Sequence, residues 1–191
     1  FKVIVVGDGN LLFKMKDKAK KLNIYEDIIF TGQLQNTGEI YSISDITVNC
    51  SIKEGLALTS YESLSMGVPI VSSNVGGQKE LITDKVGKII ELRQNEEDVY
   101  SENYSDEEIE EYVQAINEIL DNANKYKENC RKRIFYHFTI SKMIEKMSNV
   151  IQETYEKPND SKIENGKKLK TNISLCKELI TTNLKLDEIE Y

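Results

Sequence analysis

Two glutamates, Glu54 and Glu62, frame the segment whose residue types are best suited to chemistry. Between them runs Gly55-Leu56-Ala57-Leu58-Thr59-Ser60-Tyr61. Gly55 and Ala57 leave room for backbone N–H groups to approach anionic oxygens. A helix predicted to begin near Leu58 adds its dipole and its unpaired N–H groups, which favour phosphate. Carboxylates do not bind phosphate, so the two glutamates need a different partner. Sugar hydroxyls qualify, because one carboxylate accepts two hydrogen bonds from a vicinal diol. The segment therefore suits a ligand that is both anionic and hydroxylated. Taken singly, Glu54 would be an ordinary loop residue and Glu62 a solvated helix carboxylate. Their shared setting carries the reading.

Other chemistries find less support. Gly7-Asp8-Gly9 lies where a strand hands over to a helix and raises a dinucleotide reading. The third glycine of that fingerprint is replaced by Leu12, and the next strand ends at Phe30-Thr31-Gly32 with no acidic residue. The preferred reading is a glycine-rich turn capped by Asp8. Cys50, Cys130 and Cys176 are odd in number and far apart, and His137 is the only histidine. Neither a disulfide framework nor a metal site built on several histidines follows. A net charge of −7 makes the chain a poor general binder of nucleic acid.

The elements that must position Glu54 and Glu62 show in the first half of the chain. Lys2–Val6, Ile28–Phe30, Ile46–Val48, Val68–Val71 and Lys88–Leu92 are short apolar runs suited to strands buried on both faces of a parallel sheet. Between them, Leu11, Leu12, Met15, Ala19 and Leu22 recur at helical spacing, as do Leu58, Tyr61, Leu64 and Ser65. Alternating strands and helices predict an α/β fold, a Rossmann-like doubly wound parallel sheet, with helices following it. The segment from Ser51 then leaves the carboxyl end of a strand, where such sheets bind ligands.

After an acidic stretch, Ser105 and Glu108 make a capping-box signal. Ile109, Val113, Ile116 and Leu120 predict the buried stripe of the helix that follows. Lys125, Lys127, Arg131, Lys132 and Arg133 form a basic segment, read as a mixed helix surface because Glu128 interrupts it. A helix from about Ile140 to Tyr155 carries Met143, Ile144, Met147, Val150 and Ile151, and Pro158 closes it. A polar linker and a marginal helical stripe on Ile173, Cys176, Ile180 and Leu184 complete the chain.

The frame around the two glutamates resembles the donor-binding half of the retaining GT-B glycosyltransferases called family 4. Their signature reads EGFGLSLLEAMAxGxPVVAS, and Glu54 to Ser73 reads EGLALTSYESLSMGVPIVSS. Val5 to Asn10 resembles the family's IVGDGP turn, Phe30-Thr31-Gly32 its FTG segment, Ser44-Asp45-Ile46 its ADV step, and Asn74 to Ile82 its SxVGGxPEL segment. The resemblance covers residues 1 to about 155. It implies that Glu54 contacts the donor sugar and that Glu62 binds the ribose diol. It further implies that Gly55, Leu56, Ala57, Leu58 and Thr59 hold the sugar and diphosphate, with Leu34 beside the nucleobase. It implies no metal and no cofactor other than the nucleotide-sugar donor.

Leu56-Ala57 replaces the usual Phe-Gly, so the phosphate contact requires a negative φ at Ala57. Ser63, Asn10 and Lys79 also depart from the pattern, and none removes a charged contact.

The resemblance also sets expectations about extent. Residues 1–157 would be a nucleotide-sugar-binding domain lacking its first strand, and 158–191 a linker and tail. The Arg and Lys that clamp the diphosphate, and the acceptor-binding domain, would lie upstream of Phe1, so this chain alone would transfer nothing. The expected activity is retaining transfer of a hexose-type sugar to an acceptor hydroxyl in envelope or surface polysaccharide synthesis. The expected place is the cytoplasm, peripheral to the membrane. The competing readings are a non-catalytic sugar-nucleotide or interaction module of the same fold, and a NAD enzyme.

Overall fold

The computed structural model describes residues 1–93 and 104–156. The acidic run Glu96, Glu97, Asp98 and Glu102, and the stretch from Pro158 on with its marginal stripe, lie outside the described residues. The chain divides into two compact units, Phe1–Arg133 and Ile134–Tyr191.

The first unit alternates strands and helices as the apolar runs predict. The order is β1 (Val3–Val6), α1 (Leu12–Lys21), β2 (Ile28–Gly32), α2 (Gly38–Ile43), β3 (Thr47–Asn49), α3 (Leu58–Ser65), β4 (Ile70–Ser73), α4 (Gln78–Leu81) and β5 (Gly87–Ile90). Helix α5 (Asp106–Asp121) follows, and α6 (Ala123–His137) contains the boundary between the units. All strand pairs are parallel, as crossover helices dictate. The strands form one pair, β1-β2, and a three-stranded sheet, β3-β4-β5. Among the described residues, β1 and β3 each keep one edge without a strand partner. The expectation of burial on both faces holds along the whole of β4 alone, whereas Val3, Val6 and Val48 on β1 and β3 are exposed.

Helices α2 and α4 lie where no periodicity is visible, because six and four residues are too few to show one. Helix α3 stops at Gly67, whose φ of +81° suits glycine; Val68 N–H then reaches back to the Ser63 carbonyl.

Helix α5 begins with the expected capping box: the Ser105 side chain accepts from Glu108 N–H while the Glu108 carboxylate accepts from Ser105 N–H. Its buried face differs from the prediction. Glu108, Tyr112, Ala115 and Ile119 are inside, while Ile109, Val113 and Leu120 are exposed. The inner face closes over Val71, Ile90 and Tyr126. The prediction slipped because Tyr and Ala carry the packing and a glutamate sits among them. Burial pushes the Glu108 carboxyl up. Hydrogen bonds from Arg93 and Ser105 N–H outweigh this and hold it below the usual range.

The basic residues of α6 are engaged with the fold. Arg133 donates to the carbonyls of Glu80 and Leu81 at the end of α4, and Arg131 to that of Met66 at the end of α3. In the second unit, α7 (Ile140–Glu156) leaves Met143, Met147, Val150 and Ile151 exposed.

The observed face of α5 makes a direct forecast. Ile119, 0% exposed, lost to alanine should destabilise the fold by about 2–5 kcal/mol, whereas Val113→Ala, at a side chain 51% exposed, should stay within about 0.5 kcal/mol. Urea unfolding followed by circular dichroism compares the two; equal costs would mean that α5 packs by another face.

Candidate ligand site at the turn between β3 and α3

Strand β3 pairs with β4 only as far as Asn49 opposite Ser72. Beyond that point the backbone still needs partners for its carbonyls. Side chains supply them in sequence. Tyr112 hydroxyl donates to the Asn49 carbonyl at 3.1 Å, Tyr104 hydroxyl to the Cys50 carbonyl, and Ser73 Oγ to the Ser51 carbonyl. Burial pushes the Tyr104 phenol up to about 12 and the Tyr112 phenol higher still, so both remain donors at any ordinary pH.

The turn that follows is organised around its own polar groups. Asn49 Oδ1 accepts from Ser51 N–H at 2.9 Å, a side-chain turn of the Asx type. Ser51 Oγ donates to Glu54 Oε1 at 2.9 Å and orients that half-buried carboxylate. Gly77 N–H donates to the Gly55 carbonyl at 3.0 Å. Ala57 takes the position before α3 with φ −75°, so the negative φ required there is present. No side chain caps this helix. Its first turn is held from behind, where the buried Gln78 amide donates to the buried Ser60 hydroxyl at 3.1 Å.

Glu62 lies one turn further along α3, exposed, and its anchors come from α2 and the loop before it. Tyr41 hydroxyl lies 3.2 Å from Glu62 Oε2 and Thr37 Oγ1 lies 3.3 Å from the same oxygen. The buried Tyr41 hydroxyl also reaches the Thr59 carbonyl at 3.2 Å, so one proton serves two acceptors. Burial first, then the Glu62 charge, push this phenol up to about 12. It therefore stays a donor. Leu34 sits half-buried in the loop between β2 and α2.

The structure thus puts Glu54 through Glu62 on one turn and helix. Leu56 and Leu58 are outward-facing at 53% and 67% exposure, and Ala57 is buried. Tyr41, Thr37, Ser51 and Gln78 escape a motif reading because each acts through another residue. At the first turn, the expectation that Asp8 caps α1 is corrected. Asp8 Oδ1 accepts from Gly9 N–H at 2.7 Å, and α1 begins later, with Leu11 in the capping position. The two glycines let the chain turn too early for an aspartate at position 8 to reach the helix.

The model of the family "Glycosyl transferases group 1" matches residues 1–134. The chain is 26% identical over 151 residues to UDP-Gal:alpha-D-GlcNAc-diphosphoundecaprenol alpha-1,3-galactosyltransferase of Escherichia coli, covering 77% of this chain and 35% of that protein. The pneumococcal O-GlcNAc transferase GtfA, solved with UDP and GlcNAc, superposes with a TM-score of 0.65 at 18% identity, covering 82% of this chain and 30% of that one. Anabaena Alr3699/HepE, solved with UDP-glucose, gives 0.61 at 15% identity over 80% of this chain and 41% of its own. The chain therefore spans well under half of each.

The Tyr41–Glu62 contact can be isolated by a double-mutant cycle. Tyr41→Phe and Glu62→Ala should couple by about 0.5 kcal/mol or more in urea unfolding, because they share one hydrogen bond. Strictly additive costs would show that the bond does not form in solution.

Proposed function

The chain belongs to the glycosyl transferases group 1 family, and from that premise we propose that it is the donor-binding domain of a retaining glycosyltransferase with the GT-B fold. In this reading a hexose-type sugar passes from a nucleotide-diphosphate sugar to an acceptor hydroxyl. Glu54 receives hydroxyls of the sugar, Glu62 the ribose diol, and the N–H groups of Leu56 to Thr59 the diphosphate. Leu34 lies beside the base.

One observation carries the reading. Each carboxylate is oriented through one oxygen, Glu54 by Ser51 and Glu62 by Tyr41 and Thr37, and among the described residues no hydrogen bond engages the other oxygen. A carboxylate so held keeps the acceptor capacity that a diol needs. Between them the uncapped start of α3 favours the anion.

The chemistry follows from charge. As the bond from the anomeric carbon to the diphosphate oxygen breaks, negative charge grows on the leaving diphosphate. The N-terminus of α3 is aimed where that charge appears, and the Arg and Lys expected upstream of Phe1 would join it there. The acceptor oxygen bonds to the same face of the sugar as its O–H bond breaks and the proton passes to the departing diphosphate oxygen, which keeps the configuration. We nominate no general base and no metal.

The named relatives support a uridine nucleotide as the first donor to try; the setting we propose is synthesis of envelope or surface polysaccharide. We place the enzyme in the cytoplasm, at the membrane periphery; no helix among the described residues is long and apolar enough to cross a membrane. An acceptor-binding domain and the first strand of this domain would complete the protein.

Calorimetric titration of UDP against NAD is the first check, with UDP expected to bind and NAD not. In the longer protein, Glu54→Ala should lower kcat/KM by about 10²-fold or more with the melting temperature unchanged. Full activity in that variant would overturn the role of Glu54.

A further inference from the structure

We propose that the turn between β4 and α4, with Gly76 and Gly77 at its centre, positions the donor turn. On this view Gly76 is required because the donor turn's own carbonyls occupy the space a side chain would need, while Gly77 serves through its N–H. The consequence for ligand binding rests on the donor reading above; the geometry does not.

Gly76 has φ +52°, and a Cβ built there would lie 2.4 Å from both the Glu54 and the Gly55 carbonyl oxygens. No real Cβ tolerates such contacts, and the obstacles are backbone atoms, which cannot swing aside. At Gly77, N–H donates to the Gly55 carbonyl at 3.0 Å, and a Cβ would press on Leu56 Cδ1 at 3.2 Å. Two successive carbonyls of the donor turn are therefore packed against this glycine pair.

Peptide planarity turns this into a statement about the opposite side. In a trans peptide the N–H points away from the C=O, and no peptide among the described residues is cis. With the Glu54 and Gly55 carbonyls turned toward Gly76, the N–H groups of Gly55 and Leu56 point away from it. The turn is uncrowded at its first glycine, where a Cβ would meet nothing within 4 Å. Successive N–H groups turned to one side make a concavity for an anion. Ser73 Oγ on the Ser51 carbonyl and Gln78 on Ser60 fix the two ends of the segment against the same support. The glycine pair is thus a positioning element: it touches the donor turn and leaves the ligand to it.

The test uses the full chain without ligand. Amide hydrogen exchange is compared in the unsubstituted protein, Gly76→Ala and Ser73→Ala, the last because loss of one hydroxyl keeps the fold if the added methyl does not. Exchange at the Gly77 amide, which donates to the Gly55 carbonyl, should quicken by about tenfold or more in either folded variant, with β5 and α5 unaltered. Unchanged exchange at Gly77 overturns the proposal.

A second readout separates positioning from general loosening. In the same variants the ratio of UDP to uridine affinity should fall about tenfold or more while uridine binding holds. An unaltered ratio beside intact uridine binding overturns it. The affinities are read in the longer protein that carries the expected diphosphate clamp; if that protein, unsubstituted, binds neither ligand, the donor reading fails, and the exchange result alone decides the positioning.

Discussion

The site depends on how the chain satisfies the carbonyls at the carboxyl end of β3. Inside the sheet these groups are paired by the ladder with β4, which ends at Asn49. A buried carbonyl without a partner costs about 1–3 kcal/mol, so the next residues would settle wherever partners could be found. Here the partners are two tyrosines, a serine and a glycine N–H, all from later elements. The turn that carries Glu54 is therefore a product of α5 and the β4–α4 turn as much as of its own residues. Helix α5 in turn packs over the sheet through Tyr112, the same residue whose hydroxyl reaches Asn49. Packing of the core and orientation of the site share one side chain.

Small polar residues do related work behind α3. Ser60, Ser63, Ser72 and Ser73 are all fully buried, which hydroxyls tolerate only when paired. Ser63 Oγ lies 2.8 Å from Thr47 Oγ1 and 2.9 Å from the Val68 carbonyl, so it ties α3 to both the start of β3 and the entry to β4. A larger residue would push the helix from the sheet, and with it the first turn where Ala57 to Thr59 present their N–H groups. The alanine expected after the second glutamate would give the same spacing without these bonds.

Much of this was legible in the sequence. The apolar runs marked the five strands among the described residues to within two residues at each end, because valine and isoleucine favour extended backbone whether or not both faces are covered. The two glutamates and the small residues after Glu54 singled out the turn between β3 and α3 that we propose as the site, because carboxylate and backbone chemistry is local. What escaped was whatever acts through a second residue. Tyr41 looks like any aromatic on a short helix, and only its distance to Glu62 reveals a task. The face of α5 escaped for the opposite reason. Val113 and Leu120 are apolar and exposed, while Glu108 is charged and buried, and hydropathy alone ranks them in reverse. The capping box shows why: Glu108 spends its carboxylate on backbone N–H groups, which makes burial tolerable.

The anchors of the two carboxylates come from different places, and this shapes how the site can vary. Glu54 is held by Ser51 within its own turn, while Glu62 is held by α2, which follows β2. The loop that carries Leu34 leads into that same helix, so a change there reaches Glu62 through Tyr41 and Thr37 before it reaches Glu54. The ribose end and the nucleobase end of the proposed ligand would then share one support, and the sugar end another. In the proposed binding mode, selectivity for the base would drift with the β2–α2 loop while Glu54 keeps its orientation. A fold whose ligand contacts rest on separate supports can change one specificity without rebuilding the other.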